Sequence, residues 1–231
     1  MTKIKTSPKT LTTFINPFSY YIIRKSINQN RIYKNFTIHY DGIALALISR
    51  ILFLEKINRV SFDDTSLAPS IFKFIAEKKL NLGIIGCSEE NIIKAKKIIE
   101  EKYKITIKSF SDGYYPQSQT KTILNNFKKC DVVITAMGTP RQEDFLLKLR
   151  EHGWNGVGYT CGGYLDQLSL ANGGNYYPHI INKLEIRWLY RIYKEPRRLW
   201  KRYLIQYPIG VTLFIYDRIF LRPPFDKIKT S

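Results

Sequence analysis

The 231-residue chain is 44% hydrophobic, which excludes an intrinsically disordered protein and allows a sizeable core. Its formal net charge of +18 calls for an anionic partner: nucleic acid, an anionic membrane surface or phosphorylated substrates. Cys87, Cys130 and Cys161 are scattered, with no CxxC spacing or nearby histidine pairs; this argues against a disulfide framework or zinc site and suits a reducing cytoplasm.

The opening stretch, MTKIKTSPKTLTTFINPF, lacks the apolar core of a signal peptide and carries no acidic residue; none occurs before Asp41. NFTIHYDG (35–42) reads as a strand ending in Asp-Gly, and IALALISRILFLEK (43–56) as a helix. A second helix is predicted over 67–80, with Ile71, Phe74 and Ile75 on one face, followed by a short buried strand, LGIIG (82–86). Ser88 is the expected N-cap of the next helix. Glu89 and Glu90 follow in its first turn, and Ile92, Ile93, Ile99 and Tyr103 recur at helical spacing. Strands are then expected at 104–110, 130–138 and 156–160, alternating with helices over 119–129 and 140–153.

This βαβ alternation predicts an α/β fold, a Rossmann-like parallel sheet with helices on both faces. Ligands of such sheets sit at the carboxyl ends of the strands. That rule singles out Asp41-Gly42, Gly86 to Ser88, Asp112 to Tyr115, Gly138 to Glu143 and Gly158 to Gly163. TPRQ fits a capping box, with Thr139 as N-cap, Pro140 in the first turn and Gln142 reaching back; the same helix start could face a phosphate or a sugar. Asp41 ends an apolar strand, precedes a permissive glycine and sits in a basic region. It is either a turn residue or a carboxylate base that the surrounding positive charge keeps ionised.

GIIGCSEEN is not GxGxxG, and GVGYTCGG has no clear helix after it and no spaced acidic ribose ligand, so a dinucleotide oxidoreductase is disfavoured. No P-loop motif occurs. His39, His152 and His179 show no ligand spacing, and the chain holds Asp63-Asp64 but no Asp-x-Asp, so no metal site and no cofactor are expected. Past Gly163 the character changes. EIRWLYRIYKEPRRLWKRY (185–203) is basic and aromatic, with a break or kink expected at Pro196. It reads as a solvated helix face, a nucleic-acid surface or an interfacial membrane anchor, and the apolar YLIQYPIGVTLFIY (203–216) favours the membrane while being too short to span one.

Taken in order, DGIALA at 41, RVSFDD at 59, LGIIGCSEENIIKAKKIIEEKY at 82, DGYY at 112, DVVITAMGTPRQE at 131, GVGYTCGGYLDQ at 156 and the 185–203 stretch resemble the bacterial WecG/TagA/CpsF glycosyltransferases. The resemblance covers about Asn16 to Tyr203. It departs at Phe62, where the family usually has Gly, and at YYP (176–178), where it has Arg-Ala-Pro. It implies inverting, metal-independent transfer from a UDP-sugar donor to a polyprenyl-diphosphate-linked sugar acceptor, on the inner face of the cell membrane. Asp41 then matches the general base and Arg59 a diphosphate-facing arginine. Gln142, with Glu143 beside it, matches the family's P-x-Q-E lip, where it would contact donor or acceptor; Gly86, Gly138, and Asn16 and Thr13 of a Thr/Asn element would bind the nucleotide-sugar or its diphosphate; Arg191 and Arg198 would close over the nucleotide. Residues 1–178 would form the catalytic domain and 179–231 a membrane-associating appendage. This reading leaves out nucleic acid and leaves a homo-oligomer open. The alternative is a non-enzymatic α/β protein that binds nucleic acid or a membrane surface.

Overall fold

The computed structural model describes residues 9–174, 176–183 and 186–221; the side chains at 182, 183 and 198 lie outside the described set. The first element is a strand that the sequence reading lacked, β1 (Leu11–Ile15), with all five residues buried. Thr12 and Thr13 interrupt its apolar run, and that hides it. Asn16 then caps α1 (Pro17–Lys25) in a capping box: its side chain accepts from Ser19 N (3.0 Å), and its own N–H donates to Ser19 Oγ (2.7 Å).

After α2 (Gln29–Asn35) come β2 (Phe36–Tyr40), α3 (Ile43–Phe53), α4 (Ala68–Lys78), β3 (Leu82–Gly86) and α5 (Glu89–Tyr103). Then follow β4 (Ile107–Ser111), α6 (Thr120–Phe127), β5 (Val132–Ala136), α7 (Arg141–Glu151) and β6 (Val157–Thr160). Ser88 caps α5 as expected, accepting from Asn91 N at 3.3 Å.

The six strands form one parallel sheet in the order β2-β1-β6-β5-β3-β4. Alternate residues of each strand feed opposite faces. Ile15, Ile85 and Val133 join a core with α1, α2, α3, α6 and α7 residues; Phe14, Ile84 and Ile134 join one with α4 and α5. The order reverses between β3 and β5, since α5 leads outward to β4 while α7 leads back to β6. Such a reversal is where open α/β sheets hold ligands.

Beyond β6 a helix does form, α8 (Tyr164–Leu170), although the glycine-rich approach to it signalled none. Its Tyr164, Leu165 and Leu168 are buried on the α5 side of the sheet. Next come α9 (His179–Lys183), α10 (Arg187–Lys194), α11 (Pro196–Lys201) and α12 (Tyr207–Tyr216), with π-helical turns at Arg202–Gln206 and Asp217–Leu221. The chain breaks at Glu195 (φ −137°, ψ 60°), just before Pro196.

The apolar run 203–216 belongs to an unbroken helical stretch, Leu199–Leu221. Its 23 residues, with a mean hydropathy of 1.2 over the most apolar 18, make it long and apolar enough to cross a membrane by length and composition. The shorter run judged from sequence missed the flanking turns. One side of this stretch docks on α1. A Cβ at Gly210 would stand 2.0 Å from the Pro17 carbonyl oxygen, so only glycine permits this approach. Phe214 packs edge-on to Tyr20 and Tyr40 inside the core. Asp217, also buried, accepts from Tyr20 Oη (2.6 Å), Arg24 Nε (2.7 Å) and Arg24 Nη2 (3.0 Å).

Candidate active site

A cavity of about 870 Å³ runs across the carboxyl ends of the sheet and takes lining residues from the loop after every strand. Its remaining wall is built by α10 to α12, through Arg187, Trp188, Arg191, Arg202, Tyr207 and Val211 among others. A second cavity, about 550 Å³, opens at the opposite end of β5 and β6. Its one carboxylate, Asp131, is engaged by Asn81 N at 2.8 Å, and no cluster of guanidiniums reaches it.

Asp41 sits where β2 ends. Its N–H donates to Ile15 O (2.7 Å), which ties it to the end of β1, and Gly42 (φ +87°) then turns the chain into α3. Burial raises the Asp41 pKa above the ordinary value; the charges of Arg59, Arg191 and Arg202 oppose this and Asp63 adds to it. Burial and the three guanidiniums therefore act in opposite directions on the carboxyl that positive surroundings were expected to keep ionised.

Those guanidiniums arrive from two directions. Arg59 reaches Ser61 Oγ (3.1 Å) and Asp63 (3.4 Å), and its buried Nε has no partner among the described residues. Arg202 lies over the Phe18 ring at 4.2 Å, and its Nε is likewise buried and unpartnered. Arg191 lines the same wall from α10. Asp63 organises the floor: it accepts from Ser61 Oγ (2.6 Å), Thr65 Oγ1 and Arg187 Nη1 (2.8 Å). Burial pushes its pKa up, yet these bonds and the Arg187 charge bring it below the ordinary value.

At the β5 lip the expected capping box is absent. Pro140 occupies the N-cap position of α7 with no side-chain cap, and the Thr139–Pro140 peptide is cis. The Thr139 hydroxyl bonds side chains instead of backbone, accepting from Gln142 Nε2 (3.1 Å) and donating to Glu143 Oε1 (3.3 Å). Gln142 also donates to Glu143 Oε1 (3.0 Å) and accepts from Gly162 N (3.2 Å), which ties the lip to the β6 loop. Glu143 is fully buried and takes a further bond from Thr13 Oγ1 (2.7 Å), itself bonded by Thr160 (3.0 Å). Burial raises the Glu143 pKa against these donors.

Of the residues singled out from sequence, Asn16, Asp41, Arg59, Gly138, Gln142 and Arg191 line the cavity together. Thr13 and Glu143 lie behind its wall. Gly86 supports it from below: at φ +139°, a Cβ there would meet the Ala136 backbone at 2.4 Å. Arg198 falls outside the described side chains. Sequence reasoning missed Arg187 and Arg202, because nothing in a run of similar arginines says which ones turn inward. The departures fill space with rings. Phe62 packs against Phe14, Phe72, Tyr159 and Tyr164, and Tyr177 sits under the Arg187 guanidinium at 5.2 Å.

A carboxylate among inward-facing guanidiniums, at the carboxyl edge of a parallel sheet, is an arrangement suited to group transfer on phosphate-bearing substrates. More narrowly, the chain belongs to the WecG/TagA/CpsF family of glycosyl transferases, whose sequence profile matches residues 1–223. It is similar to a UDP-Gal:alpha-D-GlcNAc-diphosphoundecaprenol beta-1,4-galactosyltransferase of Shigella boydii, at 34% identity over 90% of this chain and 86% of the relative. It is also similar to N-acetylglucosaminyldiphosphoundecaprenol N-acetyl-beta-D-mannosaminyltransferases. The Bacillus spizizenii enzyme is 25% identical over 80% of this chain and 70% of its own length. The Bacillus subtilis enzyme is 30% identical over 71% of this chain and 62% of its own length.

Proposed function

We propose that the protein moves a sugar from a UDP-sugar to a polyprenyl-diphosphate-linked sugar, with inversion, in bacterial surface polysaccharide or wall polymer synthesis. The observation that carries this reading is the convergence of Asp41 with Arg59, Arg191 and Arg202 in one cavity. The Asp41 carboxylate accepts the proton of the acceptor hydroxyl. That oxygen bonds to the anomeric carbon as the bond from this carbon to the β-phosphate oxygen breaks, and UDP leaves with the electron pair. The guanidiniums of Arg59, Arg191 and Arg202 compensate the charge gathering on the diphosphate, so the transfer runs without a metal.

Asn16 and Gly138 flank the donor, and Arg191 closes over the nucleotide. Thr13, Gly86, Gln142 and Glu143 hold the lip in position. Residues 1–178 form the catalytic body, and 179–231 an appendage that brings it to the inner face of the cell membrane. Relatives that act on diphosphoundecaprenol-linked GlcNAc support this choice of acceptor, and the galactosyltransferase supports a UDP-linked donor.

The test is transfer of labelled sugar from a panel of UDP-sugars to a diphosphoundecaprenol-linked GlcNAc acceptor, with the product anomer read by NMR. Wild type is expected to transfer with inversion, and Asp41→Asn to lose about 10²–10⁴-fold in kcat. Full activity in Asp41→Asn would remove the base from the mechanism.

A further inference from the structure

The helix that begins at the proposed base carries an unpartnered apolar stripe. On α3, Ile43, Leu47 and Ile51 recur at helical spacing and are exposed, as is the C-cap Leu54, to 86%, while Leu45, Ala46 and Ser49 face the core. Arg50 is the one charged residue of the helix. A monomer rarely leaves such a surface to water. The 199–221 helix runs beside it, since Phe53 meets Phe214 at 6.5 Å and Arg218 at 4.7 Å, and Arg218 also bonds Glu55.

This neighbour is equally apolar on its outer side, at Ile205, Ile209, Tyr216 and Ile219, and only 17% of its most apolar window is buried. Both helices turn their inner faces to the same core, so both stripes face away from it. Both also border the cavity, which is lined by Ile43 and Ala44 of one and by Tyr207 and Val211 of the other.

From this we propose that α3 is a second bilayer-inserting element. With the 199–221 helix it seats the cavity mouth directly against lipid, so that a prenyl chain need not leave the bilayer for its diphosphate to reach Asp41. The occupant is an anionic leaflet, which the setting favours over a protein. Exposed Lys194, Arg197 and Lys201 lie on α10 and α11, in the segment that walls the cavity, together with exposed Trp188 and Trp200, the residue types that settle at the headgroup level. The inference rests on the proposed acceptor, yet its test does not depend on catalysis.

The full chain is labelled with an environment-sensitive dye at Leu47→Cys, Ile51→Cys or, as control, Lys73→Cys on the opposite side of the sheet, and mixed with phosphatidylglycerol/phosphatidylethanolamine vesicles. Blue-shifted emission at 47 and 51 but not at 73 is expected. Leu47→Glu/Ile51→Glu is expected to lose vesicle affinity about a hundredfold, with its melting temperature unchanged and transfer to a water-soluble short-chain acceptor retained. Vesicle binding without a blue shift, or unchanged binding by the double variant, overturns the proposal. So does a lipid-free dimer that the double variant dissociates, which would assign the stripe to a second copy. If the stripe inserts while no donor is turned over, the proposed function fails and this inference stands.

Discussion

Asp41, the proposed base, is held between burial and nearby positive charge, and the opposition can be measured. Burial raises its pKa above the ordinary 3.8, so the acid limb of kcat/KM is expected above the usual carboxylate range. Arg202 lowers that pKa. Arg202→Gln removes a positive charge, favours the protonated acid and moves the acid limb to higher pH, in addition to reducing kcat. A pH profile of the variant decides it: an unmoved limb would mean that the Arg202 charge does not reach the base. Asp41 and the lip residues were legible from sequence because strand-end Asp-Gly and Gly-Thr-Pro junctions stand out in a βαβ pattern. Arg202 was not, since its role depends on a π-helical turn and on stacking over Phe18, a residue far away in the chain. The burial of Asp41 was not legible either, because desolvation is invisible in a string of residues.

At the scale of elements, the joint between α1 and α12 is the most exacting contact. Gly210→Val has no room against the Pro17 carbonyl and is expected to lift α12 from α1, costing at least 1–3 kcal/mol by analogy with overpacked cores. Asp217→Asn removes the charge that Tyr20 and Arg24 address, with an expected cost of about 1–3 kcal/mol. Thermal melting measures both, and because the joint supports the cavity wall, activity should fall along with stability. Five of the six strands could be read from apolar runs bounded by glycine and charge. β1 could not, because two threonines occupy positions that only the completed sheet buries, where Thr13 finds Glu143 and Thr160. α8 escaped for a related reason: Gly162 and Gly163 erase its start signal, and its packing partner α5 is distant in sequence.

For the molecule as a whole, the +18 charge and the apolar stripes predict two separable contributions to membrane binding. Raising salt from 50 to 500 mM should weaken binding to anionic vesicles several-fold without abolishing it, since apolar insertion is not screened. Sedimentation of protein with vesicles across that range is the measurement; complete release would leave only the electrostatic part.

The last wall of the cavity also has a bearing on biosynthesis. Tyr207 and Val211 line the cavity from a helix that is tied to α1 through Asp217, which accepts from Arg24 and Tyr20. A nascent polypeptide that has already assembled the whole sheet, with Asp41 in place, still has an open-sided chamber. On the proposed function, such an intermediate is expected to be inactive towards nucleotide sugars until the 199–221 helix has docked on α1.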